Sequence, residues 1–232
     1  MPARVGIAVF PGTWSERDCQ HAVTLAGGEP VLLWHKEGNL QGCDLVILPG
    51  GFAHGDYLRS GAIAAFSPLM EEVKRFARLG GPVLGICNGF QILCEAGMLP
   101  GALLRNQGLQ FRCQPTHLRV ESGQGPFMSQ LPFASVLSIP ISHGEGRYFA
   151  DAPTLDRLKE EGRVAFRYCS QEGELGSNHN PNGSVDAIAG ILNAQGNVLG
   201  MMPHPERACE PLLGSADGLQ LFSAVLPQLV SR

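Results

Sequence analysis

Short apolar runs alternate with amphipathic segments through the first hundred residues. The predicted strands cover residues 5–10, 31–34, 45–48 and 83–86. Three helices are predicted. The first runs from Ser15, where residues 15–18 resemble a capping box, to Gly27-Gly28. The second runs from Ser67 to about Leu79, and the third covers residues 88–96. Continuous apolar strands separated by helices are typical of a parallel sheet buried on both faces. We therefore predict an α/β fold with an open, mostly parallel sheet and helices on both faces.

The pattern changes between residues 109 and 170, where apolar residues occur at every second position. The alternating residues are Leu109, Phe111 and Cys113, and then Leu118 and Val120. This period predicts antiparallel strands added to the edge of the sheet. Further strands are predicted over residues 164–169, 188–192 and 198–202, and a final amphipathic helix after a cap at Ser215. Because neither a linker nor an internal repeat interrupts the chain, residues 1–232 are predicted to form a single domain.

Composition excludes several classes of protein. The net charge is −4, only 16% of residues are charged, and no cluster of Lys and Arg marks a nucleic-acid surface. No apolar run approaches the roughly 18 residues of a membrane helix, and the N-terminus passes too quickly into a core strand for a secretory signal. Seven cysteines without a C-x-x-C pair argue against a disulfide scaffold or a zinc ribbon. We expect a cytoplasmic protein without a metal site.

The strongest chemical signal is the sequence G-x-C-x-G at residues 85–89, between a predicted strand and a predicted helix. This is the thiol form of the nucleophile elbow, in which small residues permit a sharp turn that exposes the nucleophile. A helix N-terminus also favours a thiolate. The alternative is that Cys87 is a buried small apolar residue, which is the ordinary role of a free cysteine. That alternative is preferred for the other six cysteines, because none lies at such a turn.

A cysteine nucleophile needs a histidine base, and the histidine needs a carboxylate that orients it. Two His-x-Glu pairs are present, His143 with Glu145 and His204 with Glu206. In an extended segment this spacing places both side chains on one side of the chain. The pattern slightly favours His204, whose preceding strand is cleaner and whose neighbouring prolines stiffen the segment. Taken singly, either histidine is more often an ordinary hydrogen-bonded residue of the surface or core than a catalyst.

A third feature is the Gly50-Gly51 pair at the end of the strand 45–48. Such a pair permits a backbone N–H to turn into an active site, as an oxyanion-hole donor does. A plain turn is the alternative. Because the glycine pair, the elbow and His204 all follow strands of one predicted sheet, we expect them to meet at its edge.

With these residues in place, the chain resembles class I, triad-type glutamine amidotransferases, which have a flavodoxin-like fold. More narrowly, it resembles the family of glutaminase subunits of phosphoribosylformylglycinamidine synthase, an enzyme of purine biosynthesis. The motifs that carry the resemblance are LPGGF at 48–52, GDYLR at 55–59, GICNGFQ at 85–91, SHGEGR at 142–147, NPNGS at 180–184 and MPHPER at 202–207. The resemblance covers nearly the whole chain.

The resemblance implies hydrolysis of L-glutamine to glutamate and ammonia through a cysteine thioester, and it implies a role for each matching residue. The implied roles are Cys87 as nucleophile, His204 as general base and acid, Glu206 as its orienting partner, the N–H groups of Gly51 and Asn88 as oxyanion hole, and Gln91, His143 and Gly144 as contacts to glutamine. Two departures from the family pattern are Ala53-His54, beside the implied oxyanion hole, and Cys94.

The resemblance also implies that ammonia passes to a large synthase subunit and that a small third subunit takes part. We expect no cofactor in this chain and expect ATP and Mg²⁺ on the synthase, because the sequence has no GxxxxGK[ST] phosphate loop. Two other interpretations are a stand-alone amidase, peptidase or glyoxalase-like protein and a non-catalytic regulatory module. The presence of Cys87, His204 and Glu206 weighs against both.

Overall fold

The computed structural model of the chain describes residues 1–229. Its strands are β1 Arg4–Val9, β2 Glu29–Trp34, β3 Leu45–Leu48, β4 Val83–Ile86, β5 Ala102–Leu104, β6 Arg112–Val120, β7 Val136–His143, β8 Arg147–Phe149, β9 Val164–Cys169, β10 Ile188–Leu192 and β11 Val198–Met201. Its helices are α1 Glu16–Leu25, α2 Pro68–Arg78, α3 Asn88–Glu95, α4 Gly125–Met128, α5 Ala152–Glu160 and α6 Leu219–Leu229.

Nine of the strands form one sheet in the order β2-β1-β3-β4-β11-β10-β9-β6-β7, and β5 pairs with β8 separately. The strands from β2 to β11 are mutually parallel, and the four beyond β11 are added antiparallel. Every residue of β3, β4 and β11 is buried, as their continuous apolar sequences require, whereas β7 alternates between buried and half-buried positions. The predicted α/β fold class is confirmed, with the antiparallel strands at the predicted edge.

The alternating region was only partly predicted. Cys113, Leu118 and Val120 belong to one long strand, β6. Leu109 and Phe111 precede that strand. Leu109 has a φ of +54° and closes a turn by donating its N–H to the carbonyl of Asn106. Both Leu109 and Phe111 are exposed, so period-2 spacing at this point arises from a loop.

Two of the three predicted serine caps are wrong. Ser67 does cap α2, accepting a hydrogen bond from the N–H of Met70. Ser15 makes no cap hydrogen bond, and its hydroxyl accepts one from Arg207 instead. Ser215 accepts from the N–H of Asp217, before α6 begins.

The sequence analysis also missed helix α5, which begins after Asp151. The carboxylate of this residue accepts a hydrogen bond from the N–H of Thr154 and so caps the helix. The last three residues of the predicted 1–232 domain lie outside the described residues, and the single-domain organisation stays a prediction. No helix within residues 1–229 has both the length and the apolar character needed to cross a membrane.

Candidate active site

Cys87 lies on the sharp turn between β4 and α3. Its φ of 51° and ψ of −106° are unfavourable for a residue with a side chain, a strain typical of functional sites. The flanking glycines are sterically required. A Cβ on Gly89 would lie 1.9 Å from the carbonyl oxygen of Leu48, and one on Gly85 would lie 2.8 Å from the carbonyl oxygen of Gly89. The turn therefore has the geometry that the G-x-C-x-G pattern predicts.

The His204 ring is paired with a carboxylate. Its Nδ1 lies 2.6 Å from Oε1 of Glu206, and both side chains are almost completely buried. Gly50 permits this ring position, because a Cβ there would lie 2.7 Å from Cε1 of His204. Within residues 1–229 the other ring nitrogen, Nε2, has no hydrogen-bond partner, so it is available to a reacting group.

Charge partners raise the pKa of His204 to about 10. Burial acts in the opposite direction and is the largest single influence, because desolvation disfavours the imidazolium. Electrostatic attraction from Glu206 and from the Cys87 sulfur, together with the hydrogen bond to Glu206, outweighs it. The site therefore favours the protonated form of His204.

In the competing His-x-Glu pair, the side chains of His143 and Glu145 do not bond to each other. Nδ1 of His143 lies 3.1 Å from the side-chain oxygen of Asn106. The carboxylate of Glu145 instead accepts hydrogen bonds from Ser60, at 2.8 Å, and from Arg105, at 3.3 Å. Burial, with a smaller contribution from His204, lowers the pKa of His143 to about 4, so the ring is neutral at physiological pH. Of these two histidines, the structure thus gives His204, and not His143, the carboxylate partner that a base of this kind needs.

Cys87 and His204 open into one cleft of about 390 Å³. The other predicted site residues that line it are Gly51, Gln91, His143 and Gly144. Glu206 and Asn88 do not line it; Glu206 lies behind His204. A cleft of this size is adequate for an amino acid.

The two predicted oxyanion-hole donors are unused by the protein. Within the described part of the chain, the N–H groups of Gly51 and Asn88 donate to no other group. Gly51 has a φ of 153°, and a Cβ on it would lie 2.7 Å from the carbonyl oxygen of Gly12, so only glycine fits. The Asn88 side chain accepts from the N–H of Ala53 and donates to Gln91, which ties this loop to α3.

The sequence reasoning missed an acidic wall of the cleft, formed by Asp56 and Glu145 with Ser60 between them. Burial raises the pKa of Asp56; a hydrogen bond from Ser60 opposes this, and the charge of Glu145 adds to it. The backbone carbonyl of Glu145 also accepts a hydrogen bond of 2.6 Å from the amide of Gln91. The motifs at 55–59 and 142–147 contain the two carboxylates, so the signal was present in the resemblance.

The two departures from the family pattern have different surroundings. His54 follows the Gly51 loop with a φ of 54°, and its ring packs edge-on against His35 at a centroid distance of 5.2 Å. Cys94 points away from the cleft, with its sulfur 3.9 Å from the carbonyl oxygen of Pro100. Within residues 1–229, no group of three His, Cys, Asp or Glu is arranged to hold a metal ion.

Residues 2–219 match a family model described as a CobB/CobQ-like glutamine amidotransferase domain. The chain is 55% identical to phosphoribosylformylglycinamidine synthase subunit PurQ from Rhodospirillum rubrum, over 96% of this chain and 98% of the relative. It is 54% identical to the same subunit from Rubrobacter xylanophilus, over 96% and 97%. A structure of PurLQS from Thermotoga maritima contains a chain that is 41% identical, with a TM-score of 0.87 over 99% of this chain and 100% of that chain.

Proposed function

Because this chain belongs to the PurQ family of glutamine amidotransferases, the glutaminase subunits of phosphoribosylformylglycinamidine synthase, we propose that Cys87, His204 and Glu206 are its catalytic triad. The chain acts in purine biosynthesis as the subunit that hydrolyses L-glutamine to glutamate and ammonia. One observation carries the residue assignment. The Glu206-bound His204 ring, paired at 2.6 Å, opens into the same cleft as Cys87.

The reaction begins with attack of the Cys87 thiolate on the side-chain amide carbon of glutamine. The N–H groups of Gly51 and Asn88 stabilise the oxyanion that develops on the amide oxygen; one such donor contributes about 2.7–4 kcal/mol. Protonated His204 gives its proton to the leaving nitrogen, the C–N bond breaks, and ammonia departs from a γ-glutamyl thioester. Neutral His204 then takes a proton from water, which attacks the thioester and releases glutamate and the thiolate.

Glutamine is held by the predicted contacts Gln91, His143 and Gly144, which line the cleft beside Cys87. The neutral His143 ring adds no positive charge next to the imidazolium of His204. Glu206 fixes the His204 ring so that Nε2 faces the reacting atoms.

The partner is a large synthase subunit that binds ATP and Mg²⁺, and a small third subunit completes the assembly. The likeness to a chain of PurLQS supports this division of labour. The mouth of the cleft also exposes aromatic surface, in Trp14, Phe52 and Phe111, whose side chains are 69%, 42% and 54% exposed. Exposed aromatic residues are typical of protein interfaces. A partner seated there would keep ammonia out of bulk water, where it is largely protonated and unreactive.

A cytoplasmic location fits the chemistry of the nucleophile. All seven cysteines are free thiols, and Cys87 has to remain one to react. A reducing compartment maintains that state.

Docking of the synthase is expected to activate the glutaminase. The isolated full chain should turn over glutamine slowly, and addition of the synthase should raise the rate about 5–150-fold, the range of ordinary coupling energies. The measurement is glutamate release with and without the partner, with Cys87→Ala as the blank. Equal, high rates in both states would contradict the coupling.

A further inference from the structure

A second cleft, of about 480 Å³, lies on the far side of the molecule from the catalytic cleft and shares no residue with it. We refer to it as the arginine cleft, because Arg78, Arg157 and Arg163 all line it. It adjoins the turn between β10 and β11, next to the beginning of β11. Cys87 follows the opposite, carboxyl end of β4, so the two clefts open at opposite edges of the parallel sheet.

The charge in the arginine cleft is only partly neutralised, because Arg163 pairs with Glu161 whereas Arg78 and Arg157 form no ion pair within residues 1–229. No Asp or Glu lines it. Within residues 1–229, the side chain of Arg78 has neither an ion pair nor a hydrogen bond. The guanidinium of Arg157 contacts the hydroxyl of Thr154 at 3.4 Å and interacts electrostatically with Asp151 without forming an ion pair. The chain as a whole has 21 acidic residues against 17 basic ones, so carboxylates were available to pair with these arginines.

Arg163 is held in place by hydrogen bonds to the protein, and one of its guanidinium nitrogens remains unbonded. Its Nε donates to the carbonyl of Leu192 at 3.0 Å, and its Nη1 donates to Glu161 at 2.9 Å. Its side chain is only 14% exposed, so its position is well defined. Nη2 makes no hydrogen bond within the described residues, which leaves one donor nitrogen free for a ligand.

We propose that the arginine cleft binds a small molecule that carries a phosphate group. Guanidinium groups match the geometry of phosphate oxygens and remain charged at any physiological pH. The rest of the lining suits an organic portion: Met98 and Leu158 supply apolar surface, and Gln195 supplies a free side-chain amide. The volume falls within the range of about 300–1,000 Å³ that is usual for small-molecule sites. A molecule of the size of a nucleoside monophosphate fits these features, and it is a ligand distinct from glutamine.

The test is calorimetric titration of the full chain, without partner, using AMP, adenosine and inorganic phosphate as separate probes. AMP is expected to bind more tightly than phosphate, and adenosine is expected not to bind. In the double variant Arg78→Ser/Arg157→Ser the affinity for AMP should fall by about tenfold or more. Arg17→Ser is the matched control, because Arg17 is an exposed arginine of α1 outside the cleft.

Glutaminase activity checks that the variants are folded, since none of the three substituted residues lies in the catalytic cleft. Failure of AMP to bind the wild-type chain would overturn the proposal, as would equal affinity for AMP in the double variant. Both Arg78 and Arg157 occupy the last turns of helices, where positive charge is stabilising. Reduced stability, or weaker association with the synthase, at unchanged AMP affinity would therefore assign them to those roles and contradict the proposal.

Discussion

Replacing Cys87 with alanine is expected to abolish glutamine-dependent synthesis by the complex while ammonia-dependent synthesis continues. Without the sulfur no thioester forms, and loss of a nucleophile of this type lowers kcat on the order of 10⁶-fold. The synthase still receives ammonia from solution, so its own chemistry is unaffected. Both rates should be measured on the same preparation of the complex.

Cys94→Ala is the matched control for this substitution. Cys94 is on α3, the helix that Cys87 precedes, but lies outside the catalytic cleft, so both activities should persist. Loss of ammonia-dependent synthesis in Cys87→Ala would show that the residue maintains the structure or the assembly, and the proposed nucleophile would then be wrong.

Glu206→Gln is expected to lower glutamine turnover by about 10⁴-fold at neutral pH with little change in the shape of the site. Glutamine preserves the size of the side chain but removes the charge that favours the imidazolium of His204. The ring then loses the partner that fixes its tautomer and raises its pKa. Glu210→Gln serves as the control, because Glu210 pairs with His21 at 3.0 Å outside the catalytic cleft; a similar loss in both variants would contradict a specific role for Glu206.

The Glu206→Gln substitution is also expected to change how the free energy of unfolding depends on pH. A folded-state pKa of about 10 for His204, raised from 6.5, stabilises the fold fully below pH 6.5 and loses that contribution as the pH rises through 10. The wild-type chain should therefore lose more unfolding free energy between pH 7 and pH 10 than Glu206→Gln does. Urea unfolding at both pH values measures this, and parallel losses would contradict the raised pKa.

The sequence was sufficient to predict the elements around the site because their signals are local. The strands over residues 45–48 and 83–86 are continuous apolar runs, and the structure has both at those bounds. The G-x-C-x-G turn is likewise recognisable from its two glycines, although the backbone that excludes a side chain at Gly89 is that of Leu48 on β3.

The features that the sequence did not reveal depend on distant contacts. Ser15 has the sequence context of a helix cap, but its hydroxyl accepts from Arg207, a residue 192 positions away. The choice between His143 and His204 likewise depends on a residue distant in the sequence. Asn106, on a separate loop, occupies the position beside His143 that a carboxylate would need. Periodicity does not reveal such partners, and the family resemblance supplied what spacing left open.

The central claim is that Cys87 is the reactive thiol of a glutamine-binding cleft. Incubation of the full chain with a chloroketone analogue of glutamine, followed by peptide mass spectrometry, tests it most directly, since six other cysteines compete for the reagent. The account predicts that Cys87 alone is modified and that added glutamine protects it. Modification spread over several cysteines, or labelling of Cys87 that glutamine does not slow, would contradict it.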